Sequence, residues 1–160
     1  MFFISHRGNI DGIKPELENT QLYIDEAIAL GYDVEIDVWE ENDKLYLGHD
    51  KPEREVDFDW LLERKEKLWV HTKNFNALYH LLNSDLRIFY HEKENHTIIN
   101  NCNIIWSHEL REANKLSIIP LLSLVQVEQW FYTTKPVFGV CSDYIRRFKY
   151  NYENFGKIKL

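Results

Sequence analysis

The chain has little of what marks several protein classes. Its 160 residues hold only two cysteines, Cys102 and Cys141, with no metal-type spacing. They read as two buried thiols in a reducing compartment, a single disulfide being the other reading. No apolar run approaches the ~20 residues that a membrane-spanning helix needs. The apolar start Met1-Phe2-Phe3-Ile4 lacks a basic region and a long apolar stretch, so no secretory signal is expected and a cytoplasmic location is the default. Low-complexity tracts, internal repeats and linkers are absent. Nor is there an excess of positive charge, since 19 Lys and Arg face 26 Asp and Glu, a formal net charge of -7. Long-range repulsion therefore argues against a nucleic-acid backbone as partner. A small anionic substrate stays compatible, because a bound divalent cation reverses the sign locally.

What is present is the balance of one soluble globular domain spanning residues 1–160, with 44% hydrophobic and 28% charged residues. The 5 Trp, 9 Tyr and 9 Phe predict a core built of rings, with some left around a cleft.

Strand-like and helix-like segments alternate. Phe2-Phe3-Ile4 reads as a buried strand. Asn19 or Thr20 can cap a helix that carries Leu22, Ala27, Ile28 and Leu30 and stops at Gly31. Asp33–Val38 is a strand alternating acids with β-branched residues, and Leu45–Leu47 returns from it after a turn. A short helix is expected over Asp59–Lys67, a strand over Leu68–Thr72 and a helix over Phe75–Leu82. Further strands are expected at Arg87–Tyr90, Asn103–Trp106, Ile118–Leu122 and Val137–Cys141. Helical or irregular pieces are expected at His108–Lys115 and Val127–Tyr132, and Arg146–Leu160 reads as a last helix or tail. This alternation favours a parallel α/β architecture. Seven strand candidates in a chain well below the ~250 residues of a full barrel predict a shortened TIM-type (β/α) barrel, with one strand or several helices reduced.

The strongest local signal is Glu35-Ile36-Asp37. Side chains alternate along a strand, so both carboxylates share a face. Turned inward they repel each other and lose hydration, which a hard divalent cation would offset. Turned to water on an edge strand, they need no cation. His71 and Lys73 share a face of the next strand, and Lys73 can meet a phosphate oxygen. His6-Arg7-Gly8 and Gly48-His49-Asp50 each follow an apolar strand, where barrel active sites are built. Two imidazoles suit phosphodiester cleavage, which needs one proton taken and one given. His91, His96 and His108 follow later strands and receive no role.

In this order, His6-Arg7-Gly8, Glu18-Asn19-Thr20, the helix ending at Gly31, Glu35-Ile36-Asp37 and His49-Asp50 resemble the glycerophosphodiester phosphodiesterase family. His71-Thr72-Lys73 lies where that family has Glu-x-Lys, and Cys141-Ser142-Asp143-Tyr144 is similar to the end of its last strand. The resemblance implies a barrel that hydrolyses a small glycerophosphodiester with a divalent metal, Mg2+ or Ca2+. It makes Glu35, Asp37 and His71 the metal ligands and His6 and His49 the acid–base pair. Arg7 and Lys73 would hold phosphate, and Glu18 would orient the site. An imidazole at His71 suits Mn2+ or Zn2+ better than Mg2+ or Ca2+. Two other readings fit the same residues: a decayed barrel serving as a binding or regulatory module, and a lyase releasing a cyclic phosphate, as in related barrels of the sphingomyelinase D type.

Overall fold

Short β-branched and aromatic runs between turn residues set the strands. In chain order the elements are β1 (Phe2–His6), α1 (Gln21–Ala29), β2 (Asp33–Glu41), β3 (Lys44–Leu47), β4 (Arg54–Val56), α2 (Phe58–Glu63), β5 (Leu68–Thr72), α3 (Phe75–Leu81), β6 (Arg87–Phe89), β7 (His96–Ile99), β8 (Ile104–Ser107), β9 (Ser117–Pro120), α4 (Leu124–Trp130), β10 (Gly139–Ser142) and α5 (Ile145–Phe155). The computed structural model describes residues 1–133 and 135–155, so the end of the expected C-terminal segment lies outside the described residues.

Local chemistry explains the helix ends. Thr20 caps α1 by accepting from the Tyr23 amide, and Asn74 caps α3 by accepting from the Ala77 amide. Gly31, at φ 88, supplies the left-handed turn after α1. Ser123 and Gln126 form a reciprocal capping box on α4.

Seven strands run parallel in the order β6-β5-β2-β1-β10-β9-β8. Strand β7 then lies antiparallel on β8. The first half of β2 is held between β1 and β5, while its second half turns into a hairpin with β3, which β4 extends.

The expected (β/α) barrel is therefore incorrect. The sheet is a strongly curled mixed one, a half-barrel, rather than a closed ring of alternating β/α units. The cause lies in the connections. A parallel barrel covers each crossover with a helix, but the described residues offer five helices of only 6 to 11 residues. Residues between β6 and β8 form β7 instead of a helix, and the link from β8 to β9 is made of turns where His108–Lys115 was expected to be helical or irregular. Strands β4 and β7 had no counterpart among the expected elements. Cys102 and Cys141 are free thiols, and only Cys141 is fully buried.

The two faces of the curl have different contents, following the two-residue strand period. On the outer face Val34, Ile36, Val38, Val70, Ile88 and Val140 pack against Ile24 and Ala27 of α1, Trp130 of α4 and Phe148 of α5. On the inner face Ile4, Trp69, Phe89, Trp106, Ile118 and Cys141 form a separate apolar cluster. Two residues further along those same strands stand His6, His71, His91, His108, Pro120 and Asp143. The inner apolar plug thus carries a polar layer at the C-terminal ends of the parallel strands, where α/β sheets build ligand crevices.

Candidate active site

Most of that polar layer lines a cavity of about 300 Å³, walled by His6, Arg7, Glu35, His49, His71 and Lys73 together with Phe89, His91, Trp106 and His108. Register brings the centre together: His6 pairs with Glu35 across β1 and β2, and Asp37 with His71 across β2 and β5. Glu35 and Asp37 are 2% and 0% exposed. Since β2 is interior at this point, the edge-strand alternative for these acids is excluded.

The two carboxylates live in different environments. Asp37 is closely surrounded: one oxygen meets Arg7 Nε at 2.8 Å and accepts from Asn19 at 3.0 Å, while the other meets His71 Nδ1 at 3.1 Å and Lys73 Nζ at 3.4 Å. Burial alone would raise its pKa, but the His71 hydrogen bond, Arg7 and Lys73 overcome that and hold it far below the usual carboxylate range. Glu35 Oε2 is buried with no hydrogen-bond partner, 3.8 Å from His6 Nε2. Its pKa is pushed up, by burial first and by the Asp37 charge second.

Glu35, Asp37 and His71 place donor atoms within 4.8 Å of one another, the one such three-residue group among the described residues. His71 Nε2 is also buried without a partner. Two unpartnered buried atoms within a carboxylate–carboxylate–imidazole set fit a divalent cation such as Mn2+ or Zn2+.

His6 is held at Nδ1 by Asp143 Oδ1 at 2.8 Å. Burial opposes its protonation, yet Asp143 and Glu35 outweigh burial and raise its pKa. His49 sits on the loop after β3, with 43% of its side chain exposed, and its Nδ1 lies 2.6 Å from Asp50. Its pKa is lowered, by partial burial and then by Arg7. Glu18 takes Arg7 at 3.2 Å and Asn9 at 2.7 Å, so it acts one step behind the cavity wall.

Three residues escaped the sequence reading of the site. Asn9 donates to both Glu18 and Asp143, the Asn19 side chain clasps Asp37 by donating to its carboxylate and accepting from its backbone amide, and Asp143 orients His6. Asn19 was legible only as a helix cap and as part of the Glu18-Asn19-Thr20 motif, and Asp143 only as a strand end. Arg7 and Asn19 have φ of 53 and 54, a left-handed conformation that costs about 1–2 kcal/mol per residue. Backbone bonds from Arg7 to Glu35 and from Asn19 to Arg7 hold it in place.

Gly48 fixes where His49 stands. Its φ is 152, and a Cβ there would fall on the Lys51 carbonyl oxygen. Gly48→Ala is expected to cost about 1–3 kcal/mol and to displace His49, the cost being read as a lower urea midpoint.

His91 stacks on His71 at 4.4 Å, and its pKa is lowered to about 4, by burial first and then by its histidine neighbours. An unfolded His protonates near pH ~6.5, so between that pH and about 4 the unfolded chain binds more protons. Stability of the metal-free protein should fall as pH falls through this window. His91→Gln should flatten the slope in urea titrations; an unchanged slope would contradict the assignment.

No family model, curated protein or solved structure matches the chain.

Proposed function

We propose that the chain is a metal-dependent phosphodiesterase acting on a small, glycerophosphodiester-like substrate. One observation carries this reading: a single cavity is lined by the Glu35 and His71 ligands, by His6 and His49, and by the cations Arg7 and Lys73. Glu35, Asp37 and His71 would hold the divalent cation, which when bound polarises a phosphoryl oxygen.

The chain's own residues supply the rest. Arg7 and Lys73 offset charge on the phosphoryl oxygens. One of His6 and His49 takes the proton from the attacking oxygen as its bond to phosphorus forms. The other gives a proton to the leaving alkoxide as the second P–O bond breaks. Asp143 keeps the His6 ring oriented and favours its charged form. The inner apolar plug keeps bulk water away from the floor of the cavity.

The test is incubation with glycerophosphocholine and bis(p-nitrophenyl) phosphate in the presence of Mg2+, Ca2+, Mn2+ or Zn2+, followed by phosphorus NMR. A metal-dependent phosphomonoester product supports hydrolysis. A cyclic phosphate product would move the reaction to the lyase type, and no turnover with any of the metals would leave a binding module.

A further inference from the structure

The wall of the cavity carries two further imidazoles that the proposed chemistry does not use. His91 follows β6 and His108 follows β8, and their Nε2 atoms face each other at 3.4 Å. The ring centroids are 4.8 Å apart and the planes cross at 68°, so the nitrogens lie closer together than the rings and converge.

A separation of 3.4 Å is long for a hydrogen bond, whose nitrogen donors prefer about 2.7–3.2 Å. It matches instead the edge of a tetrahedron around Zn2+, where Zn–N bonds of about 2.0–2.1 Å set neighbouring nitrogens about 3.3–3.4 Å apart. The His91 ring is held by its stacking on His71, and the His108 backbone is tied through its amide, which donates to the Asn95 carbonyl at 2.8 Å. The nearby His96 differs, since Ser107 and Glu112 already engage its two nitrogens at 2.9 and 2.6 Å.

We propose that His91 and His108 form a second metal site at the cavity rim, selective for a borderline cation of the Zn2+ type over Mg2+ or Ca2+. The selectivity follows from the donors: imidazole nitrogen favours Zn2+, whereas Mg2+ and Ca2+ require oxygen. Only two protein ligands are supplied, so water or a substrate oxygen completes the shell. The binding claim stands on the two imidazoles alone; a part for this ion in anchoring a phosphodiester rests on the function proposed above.

The experiment is Zn2+ titration of the metal-stripped full chain by calorimetry, with Co2+ as the spectroscopic probe of nitrogen ligation. Wild type should take up two equivalents. His91→Ala and His108→Ala should each remove one equivalent and leave the other, while Glu35→Gln should remove the complementary one. Mg2+ should compete at the Glu35 site far more than at the imidazole pair. Gln at positions 91 and 108 serves where an Ala variant does not fold.

Unchanged Zn2+ stoichiometry in the His91 and His108 variants would overturn the second site while leaving the Glu35–Asp37–His71 reading intact. A single equivalent lost only in those variants would do the reverse. No Zn2+ uptake by wild type would sink both.

Discussion

Asp37→Asn should lower the stability of the metal-free protein by about 3–5 kcal/mol, while Glu35→Gln should leave it unchanged or raise it. The two acids lie two residues apart on one face of β2, yet their surroundings predict opposite outcomes. Asp37 is the counter-charge for Arg7, Lys73 and His71, and it is clasped by Asn19. Removing its charge leaves Arg7 with Glu18 as its partner and takes the Asp37 carboxylate away from Lys73, at side chains only 16% and 15% exposed. Glu35 is buried beside that charge with an unpartnered oxygen, so its ionised form is a cost to the empty fold. Glutamine removes the charge while keeping the shape. A residue that destabilises the empty protein and, on the proposed function, binds the metal would follow the usual trade between stability and activity. Urea titration of both variants in the presence of a chelator separates the two outcomes. Equal destabilisation would make Glu35 a structural residue and remove much of the support for a metal centre.

Loss of either histidine should have the larger kinetic effect. His6→Ala and His49→Ala are each expected to reduce turnover by about 10²–10⁴-fold, the usual contribution of a positioned acid or base. Asp143→Asn keeps the shape of the His6 support but removes its charge, so it should lower the His6 pKa and move the matching limb of the pH–rate profile to lower pH. A residue that served only packing would leave that limb in place. His49, more exposed and held through Asp50 and the Gly48 turn, should tolerate Asp50→Asn better than His6 tolerates Asp143→Asn.

Much of the centre could be read from the sequence because strands report directly on which side chains share a face. Glu35 with Asp37, and His71 with Lys73, followed from a period of two, and both pairs do converge, on Asp37 itself. The order of the polar motifs brought His6 and His49 to the same cavity. The closure of the sheet was not legible. Strand-like and helix-like runs alternate in the sequence, but whether a connection is a full helix or a hairpin depends on tertiary packing, which overrides short propensities. At His96–Ile99, where no element was expected, an antiparallel strand forms, and the expected ring of β/α units is instead a half-barrel.

The polar partners were hidden for another reason. Asn9, Asn19 and Asp143 act through contacts spanning up to 137 positions in the chain, and no local pattern encodes such a pairing. Even so, the two-residue offset between the inner apolar plug and the ring of His6, His71, His91, His108 and Asp143 is present in the sequence. Each of Ile4, Trp69, Phe89, Trp106, Ile118 and Cys141 is followed two positions later by a member of the polar layer or by Pro120. Recognising that repeat requires knowing which strands curl together.

The most direct measurement is turnover of bis(p-nitrophenyl) phosphate by the metal-stripped chain before and after Mn2+ is restored, run beside Glu35→Gln and His6→Ala. The account predicts no activity without metal, recovery with Mn2+ in the wild type, and no recovery in either variant. Activity that survives stripping, or that Glu35→Gln and His6→Ala retain, would contradict it.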